Sequence, residues 1–342
     1  MLYIHIPFCD SKCNYCAFNS YTNINHLKKE YFDALKRQFL SFPPQEFYTV
    51  FIGGGTPSTM PVEFYEQLFK MLESSMKDTK EITIEANPTV SAAWLKEIRN
   101  FGVNRISLGI QSFNDEKLKF LNRNHTSKRA LRAVEEAKKA GFDNINIDLI
   151  YATAVDNKEL LKRDLDIAFS LPISHISAYS LTIEENSKFA GDYSKRKEDE
   201  ELEIFFINSI KGRFFQYEIS NFGKPCLHNL GYWEGRDYMG LGAGAVGFEK
   251  NYRYYSLTNV SEYIATPTKY EYEYLSNKEL KYEKIFLGLR SVVGVEKSIL
   301  TLAEYQKVKE LVKENKLYEK SGKIYSRDFL LADAISAYLM ED

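Results

Sequence analysis

The chain has 342 residues, with 45 Lys and Arg against 47 Asp and Glu, and a formal net charge of −2 at pH 7. Hydrophobic residues make up 44% and charged residues 27%, which excludes a wholly disordered protein. The near-neutral charge argues against broad electrostatic binding to nucleic acid or to an anionic membrane. The length exceeds the size at which one hydrophobic core usually stops growing, so we expect a large domain and a smaller one.

Short apolar runs alternate with helical patterns through the first two-thirds of the chain. Near-continuous apolar runs are typical of parallel strands covered by helices, and six such runs are predicted strands. They are residues 2–6, 49–52, 81–85, 105–109, 145–150 and 175–181. Predicted helices lie between them, at residues 26–40, 62–75, 92–100, 127–139 and 158–170. Six β/α units predict an α/β fold with a parallel sheet, two units short of a complete (β/α)₈ barrel.

The sequence pattern changes after about residue 222. A Gly-rich segment leads into a Tyr-rich stretch, and helical patterns return at residues 278–290, 302–313 and 327–340. We therefore predict a first domain over residues 1–222 and a smaller, mainly helical domain over residues 223–342. Alternation of Tyr270, Tyr272 and Tyr274 predicts a strand with three rings on one face. That face is either an ordinary amphipathic surface or one that meets a ligand or partner.

Three of the four cysteines, Cys9, Cys13 and Cys16, lie within eight residues, just after the first predicted strand. A disulfide scaffold would spread its cysteines through a short secreted chain, which is not this pattern. Zinc prefers four ligands, and no fourth Cys or His is close by. Three thiolates suit a [4Fe–4S] cluster with one iron open to another molecule. Zinc and unliganded thiols remain the alternatives, and Cys226 is a predicted buried structural thiol.

Further polar or glycine positions follow the later predicted strands. The turn Gly53-Gly54-Gly55-Thr56-Pro57 would let backbone groups approach a ligand without side-chain interference. Glu85, Gln111, Arg123 and Asp148 stand at or just past the ends of later strands. Because the carboxyl ends of parallel strands meet at one edge, we expect these groups to converge on one mouth. Taken singly, each is as readily explained as a helix cap or a salt-bridge partner.

At these residues the sequence resembles the radical S-adenosylmethionine (SAM) superfamily. The resemblance implies a partial (β/α)₆ TIM-like barrel of the radical SAM type, with a [4Fe–4S] cluster whose open iron chelates the amino and carboxylate groups of SAM. One electron from the reduced cluster then splits the S–C5′ bond and gives a 5′-deoxyadenosyl radical. The resemblance assigns the cluster to Cys9, Cys13 and Cys16. It also implies SAM-contact roles for Tyr3, Tyr15, Gly54, Gly55, Thr56, Glu85, Gln111, Arg123, Asp148 and Ala178.

Several segments narrow the resemblance to the oxygen-independent coproporphyrinogen III oxidase group, which includes the oxidase and a heme chaperone branch. They are residues 3–9, 53–57, 85–88, 109–113 and 146–150. The oxidase has another Cys two residues after the third cluster cysteine, where this chain has Phe18, and a longer segment before its first strand. Both departures favour the chaperone branch.

A His-Asn-x-x-Tyr-Trp motif supports the same branch. In this group it implies heme binding by His228, Asn229, Tyr232 and Trp233. An imidazole is a common axial ligand of heme iron, and aromatic rings offer flat apolar walls. A lone His among aromatic residues is otherwise more often a hydrogen-bonded core residue. The role of His228 as the iron ligand is therefore the least secure assignment.

The resemblance implies a chaperone that binds heme, a [4Fe–4S] cluster and SAM and delivers heme to apo-hemoproteins such as respiratory cytochromes. The alternative is the oxidase itself, which decarboxylates two propionates of coproporphyrinogen III to vinyl groups; a third is a radical SAM enzyme with an unrelated substrate. A chaperone needs no decarboxylase activity, so no catalytic residue is assigned. The resemblance allows transient membrane contact and a homodimer. Lack of a signal peptide or a long apolar run predicts a cytoplasmic protein.

Two segments depart from familiar patterns. Related sequences usually have Gly-Leu-Pro after the fifth strand, whereas this chain continues as Tyr151-Ala152-Thr153-Ala154-Val155, so we expect a different loop on the substrate side. Residues 242–247 satisfy the dinucleotide fingerprint G-x-G-x-x-G. That fingerprint requires a following helix, and a predicted strand follows instead. We therefore predict that this segment serves close backbone packing rather than nucleotide binding.

Overall fold

The computed structural model describes residues 1–341. Its first part alternates strands and helices along the chain. The elements are β1 (Leu2–Ile6), α1 (Lys28–Leu40), β2 (Thr49–Gly54), α2 (Val62–Leu72), β3 (Glu81–Ala86), α3 (Ala92–Asn100), β4 (Arg105–Gln111), α4 (Asp115–Phe120), α5 (Ser127–Lys139), β5 (Asn144–Tyr151), α6 (Lys158–Ser170) and β6 (His175–Ser180). Strands β1 to β6 pair in sequence order, and every pair is parallel.

Two short strands extend this sheet at its edges. They belong to the series α7 (Glu200–Lys211), β7 (Asn221–Gly223), α8 (Leu227–Trp233) and β8 (Met239–Leu241). Strand β7 is antiparallel to β6, and β8 is parallel to β1. The sheet order is β7-β6-β5-β4-β3-β2-β1-β8, and within residues 1–341 the two edge strands do not pair with each other. The barrel is therefore partial, which confirms the predicted fold class.

Helix α5 illustrates why the sequence forms the outer layer. Its apolar residues Ala130, Ala133, Val134 and Ala137 recur at helical spacing and are fully buried against the sheet. The hydroxyl of Thr126 caps its first turn by accepting a hydrogen bond from the Arg129 N–H. Buried residues of this kind give one hydrophobic cluster that covers the outer face of the sheet.

Two smaller sheets follow the barrel. The elements are β9 (Val246–Glu249), β10 (Tyr252–Ser256), α9 (Val260–Ala265), β11 (Tyr270–Tyr274), α10 (Asn277–Leu289), β12 (Val295–Glu296), α11 (Leu302–Lys313), β13 (Leu317–Lys320), β14 (Lys323–Ser326) and α12 (Ala332–Met340). Strands β9, β10 and β11 form one antiparallel sheet, and β12, β14 and β13 form another. In this part of the chain more residues lie in helices than in strands, as predicted. Of its strands, only those in the glycine-rich and tyrosine-rich segments were predicted from the sequence.

Two large clusters and one small cluster of buried apolar residues lie within residues 1–341, and the division into two domains at residue 222 stays a prediction. The barrel cluster runs from Leu2 to Tyr263, and a second cluster runs from Ile285 to Leu339. Strand β8 lies beyond residue 222 and still pairs with β1. The packing therefore changes from one core to the other between α9 and α10.

Two other predictions concern the glycine and tyrosine segments. A strand, β9, follows the glycine-rich stretch, as predicted. Strand β11 is the predicted tyrosine strand, at the edge of its sheet, with Tyr272 and Tyr274 exposed.

No helix within residues 1–341 is long and apolar enough to cross a membrane.

Candidate cofactor site at the mouth of the barrel

A cavity of about 700 Å³ lies inside the barrel and opens at the carboxyl ends of its strands. Its wall includes all three clustered cysteines and eight of the ten predicted SAM contacts. These are Cys9, Cys13, Cys16, Tyr15, Gly54, Gly55, Thr56, Glu85, Gln111, Arg123 and Asp148. The two others lie behind the wall: the Tyr3 hydroxyl hydrogen-bonds His5 Nδ1 at 2.9 Å, and Ala178 belongs to the buried core. The structure thus brings most of the predicted groups together.

The cavity exists because the inner face of the sheet is polar. In β4, the alternate residues Arg105, Ser107, Gly109 and Gln111 line the cavity, while the residues between them are buried in the core. Strand β5 repeats the pattern with Asn146 and Asp148. Barrels that are filled solid carry bulky branched side chains on this face. This alternation is the sequence signal that would have located Arg105, Ser107 and Asn146, which the sequence reasoning missed.

The cysteine loop is held in place from both sides. The Cys9 N–H donates to Tyr21 O at 2.9 Å, so the two ends of the loop lie side by side just after β1. Lys12 Nζ donates to Phe18 O and Ser20 Oγ, both at 2.7 Å, and so spans the loop. The side-chain amide of Asn14 donates to Phe120 O at 2.9 Å. These bonds fix the loop without using any of its three sulfurs.

The glycine turn lies directly against the first cysteine. Gly55 N donates to Ile6 O at 2.7 Å, and Thr56 Oγ1 donates to Cys9 Sγ at 3.4 Å. A Cβ at position 55 would lie 2.9 Å from Ile6 O and 3.1 Å from Cys9 Sγ. Gly54 has a φ of +111°, a conformation that other residues rarely adopt. Glycine is therefore required for the turn to approach the cysteine this closely.

Arg123 links the second cysteine to two neighbouring strands. Its Nη1 donates to Cys13 Sγ at 3.1 Å, and its Nη2 donates to Gly109 O at 2.7 Å and to Asn87 Oδ1. This contact fixes the position of the Cys13 sulfur at the wall of the cavity. Asn87 was not among the predicted site residues, although its position just past the end of β3 could have indicated it.

Two partly buried carboxyl groups, those of Glu85 and Asp148, line the same cavity. Burial, with a smaller contribution from Asp148, raises the pKa of Glu85 to about 8. The Glu85 carboxyl accepts one hydrogen bond, from Gly54 N at 3.2 Å. Burial also raises the pKa of Asp148, although hydrogen bonds from Asn146 and Ser177 oppose the increase. Glu85 therefore holds a proton at pH 7 and can donate a hydrogen bond, while Asp148 is better supported as an acceptor.

Glu85→Gln should flatten the pH dependence of stability between pH 5 and pH 8. Because folding raises the pKa of Glu85 to about 8, the native state retains a proton that the unfolded state releases. Stability should therefore fall by up to about 1.4 kcal/mol per pH unit in this window, and the Gln variant lacks this contribution. Urea unfolding at several pH values checks this, with the exposed residue change Glu63→Gln as the control. Parallel pH profiles for wild type and Glu85→Gln would contradict it.

The His-Asn-x-x-Tyr-Trp motif lies in α8, at the opposite end of the barrel. His228 is completely buried and shares hydrogen bonds with Thr49 Oγ1 through Nδ1 at 2.8 Å and with Tyr232 Oη through Nε2 at 3.0 Å. Burial lowers its pKa to about 3. Both ring nitrogens have partners, so the imidazole can bind iron only after giving one up. Its role as iron ligand stays a prediction, and so does that of Trp233.

The same helix closes the lower end of the barrel. Glu81, at the start of β3, accepts hydrogen bonds from Cys226 Sγ at 3.2 Å, Leu227 N at 3.0 Å and His228 N at 3.1 Å. A carboxylate at a helix N-terminus is stabilising. Cys226 is fully buried, as predicted for a structural thiol. Of the four motif residues, Asn229 lines the cavity.

Comparisons with known proteins agree with this geometry. The Radical SAM superfamily model matches residues 3–166. The chain is 35% identical to the heme chaperone HemW of Lactococcus lactis, over 95% of this chain and 93% of that protein. It is also 35% identical to the heme chaperone HemW of Bacillus subtilis, over 86% and 84%. The chain belongs to the HemW family. The chaperone branch predicted from Phe18 and the α8 motif is confirmed.

A solved structure extends the HemW relationship to the fold. The radical SAM enzyme coproporphyrinogen III oxidase (HemN) from Escherichia coli matches with a TM-score of 0.83, over 99% of this chain and 89% of that one. Its sequence identity of 20% shows a shared fold. The match covers both the barrel and the smaller C-terminal part.

The match of residues 3–166 to the radical SAM superfamily implies a [4Fe–4S] cluster and SAM, and the residues that line the cavity fit both. Cys13 and Cys16 are partly exposed at its wall, glycine backbone borders it, and the buried Gln111 Oε1 has no partner. Gln111 also has a φ of +69°, and such strain is common at ligand sites. Within residues 1–341, no three His, Cys, Asp or Glu side chains surround a single metal-ion position. Assignment of the cluster to the three cysteines stays a prediction.

Proposed function

We propose that this chain is a heme chaperone that binds heme, a [4Fe–4S] cluster and SAM, and delivers heme to apo-hemoproteins such as respiratory cytochromes. One observation carries the proposal: identity of 35% to a heme chaperone extends over 95% of the chain. The proposal includes a cytoplasmic location, transient contact with the membrane where the recipients lie, and a homodimer.

The proposed roles follow the geometry of the mouth. Cys9, Cys13 and Cys16 hold the cluster, which supplies an open iron and one electron when bound. The backbone of Gly54, Gly55 and Thr56 cradles the aminocarboxylate end of SAM, and Arg123 and Gln111 orient it. Asp148 accepts from the ammonium or a ribose hydroxyl of SAM, and the protonated Glu85 donates to a ribose hydroxyl. Tyr15 packs on the cofactors, and Tyr3 and Ala178 shape the wall from behind.

The oxidase is the alternative that Phe18 disfavours. The Phe18 side chain is 69% exposed and borders the mouth beside the cysteine loop. The oxidase places a cysteine at this position, and a phenyl ring can neither ligate iron nor carry a hydrogen atom or electron through sulfur. An exposed aromatic ring instead offers a flat apolar contact for a tetrapyrrole. We propose that decarboxylation of coproporphyrinogen III is absent.

A paired experiment tests the proposal. The protein is reconstituted anaerobically with iron and sulfide, then titrated with heme and followed by the Soret band. A parallel sample receives SAM, a reductant and coproporphyrinogen III, and porphyrins are separated by chromatography. We expect saturable heme binding and no decarboxylated product. Formation of vinyl-bearing product would contradict the chaperone function and support the oxidase.

His228→Ala should weaken heme binding if the α8 motif holds the iron. The variant also leaves the hydroxyls of Thr49 and Tyr232 without their partner, so we expect a loss of about 2–4 kcal/mol of stability. Heme titration and thermal unfolding separate the two effects, and His26→Ala, at an exposed histidine, is the matched control. Unchanged heme affinity in folded His228→Ala would contradict the iron-ligand assignment and leave His228 as a structural residue of α8.

A further inference from the structure

Arg105 is a buried cation at the inner end of the cavity. It begins β4, and its side chain points into the barrel, where 2% of it is exposed. In the sheet it pairs in register with Thr83 of β3 and Asn144 of β5. The cysteine loop lies at the other end of the same cavity, which makes Arg105 distinct from the groups at the mouth.

The guanidinium of Arg105 has no direct contact partner in the part of the chain that the structure describes. No hydrogen bond joins it to another residue, no carboxylate lies within 4.0 Å, and its Nε is buried without an acceptor. The other buried cations have direct partners: Lys117 bonds Asp156 at 2.6 Å, and Arg123, whose Nε also lacks an acceptor, donates through its Nη atoms to Cys13 and Gly109. Removing an unpaired charge from water costs several kcal/mol. Glu81 and Asp148 attract the Arg105 charge from a distance, but neither contacts the guanidinium, which can therefore donate to an anion placed directly against it.

The nearby carboxylates are already used. Glu81 accepts three hydrogen bonds from the start of α8, and Asp148 accepts from Asn146 at 2.7 Å. A second polar residue remains available, because Asn229 lines the same cavity and its side-chain amide makes no hydrogen bond within residues 1–341. An arginine and an amide that line one cavity can together bind a carboxylate, with the guanidinium donating two parallel hydrogen bonds.

We propose that Arg105 and Asn229 form an anion subsite at the inner end of the barrel, which takes a carboxylate of a ligand other than SAM. Two sources supply that chemistry: a propionate of heme, or a small free carboxylate. The propionate source rests on the proposed heme function, whereas the subsite itself does not. It also gives Asn229 of the α8 motif a role that needs no movement of His228.

Heme and heme dimethyl ester separate the two sources. Wild type should bind heme about 10- to 100-fold more tightly than the ester, because a buried charged hydrogen-bond pair is lost on esterification. Arg105→Gln should bind both with the affinity of the ester, and Arg105→Lys should recover part of the difference. Cluster absorbance and SAM affinity should be unchanged in Arg105→Gln. A parallel loss of SAM affinity would overturn the proposal, since Arg105 would then only shape the SAM site.

Succinate tests the free-carboxylate source. A rise in melting temperature with succinate that is present in wild type and absent in Arg105→Gln and Asn229→Ala would support the subsite even if esterification has no effect on heme binding. If neither ligand distinguishes wild type from the variants, the subsite is wrong, whether or not heme binds. If heme does not bind wild type at all, the proposed function fails and the succinate result alone decides. Asn229→Ala, at a partly exposed residue, serves if Arg105→Gln does not fold.

Discussion

Cys13→Ala should abolish the visible absorbance of the reconstituted iron–sulfur cluster. The Cys13 sulfur lies at the wall of the cavity and accepts a hydrogen bond from Arg123 Nη1 at 3.1 Å. With three thiolates as the proposed protein ligands, loss of one leaves a second iron open and the cluster poorly held. Iron and acid-labile sulfide analysis after anaerobic reconstitution should fall to a small fraction of the wild-type content.

The fourth cysteine provides the matched control for this variant. Cys226 is buried at the opposite end of the barrel, where its thiol donates to Glu81. Cys226→Ala should keep the full cluster absorbance and lose only modest stability, because a single hydrogen bond and a small volume are removed. Full absorbance in Cys13→Ala, or its loss in Cys226→Ala, would show that the ligand set is wrong.

Lys117→Met should destabilise the fold by about 3–5 kcal/mol, because it leaves a fully buried carboxylate without its cation. Lys117 Nζ bonds Asp156 Oδ1 and Ile150 O, both at 2.6 Å, and neither side chain of the ion pair is exposed. The other Asp156 oxygen accepts from Thr153 N at 2.8 Å. This ion pair therefore holds the loop after β5, where the usual Gly-Leu-Pro turn is missing.

Lys162→Met is the control for the buried pair. Lys162 bonds Asp166 on the surface of α6, with both side chains more than half exposed, so its loss should change stability by less than about 0.5 kcal/mol. Urea unfolding of the two variants gives the comparison. Equal effects would mean that the Lys117–Asp156 pair does not hold this loop.

The regular parts of the fold follow closely from sequence periodicity. The helices α3, α5 and α6 have the predicted bounds, because each has a strong apolar stripe and a polar N-cap residue. The inner strands run one or two residues beyond their predicted ends, for example to Gly54 in β2 and Gln111 in β4. Those end residues are glycine or polar because they face the cavity, and an apolar pattern cannot reveal them.

Sequence periodicity could not predict the short helices or the residues at the inner end of the cavity. Helix α4 has six residues and α8 has seven, too short for a periodic pattern. The placement of His228 against Thr49 joins residues 179 positions apart, and only the closure of the barrel brings them together. The motif indicated heme, whereas its local geometry shows a helix that closes the barrel. The residues at the mouth of the site could be predicted from local sequence motifs. The residues at its inner end could not, because long-range packing brings them together.

Heme transfer to an apo-hemoprotein tests the central claim most directly. The heme-loaded, cluster-reconstituted protein is mixed with an excess of an apo-cytochrome, and the two are then separated and their heme spectra recorded. The chaperone function predicts that the Soret band appears in the cytochrome fraction, with the spectrum of heme ligated by the cytochrome. Transfer from this protein should be faster than transfer from heme bound to albumin. Retention of heme by this protein, or transfer no faster than from albumin, would contradict the chaperone function.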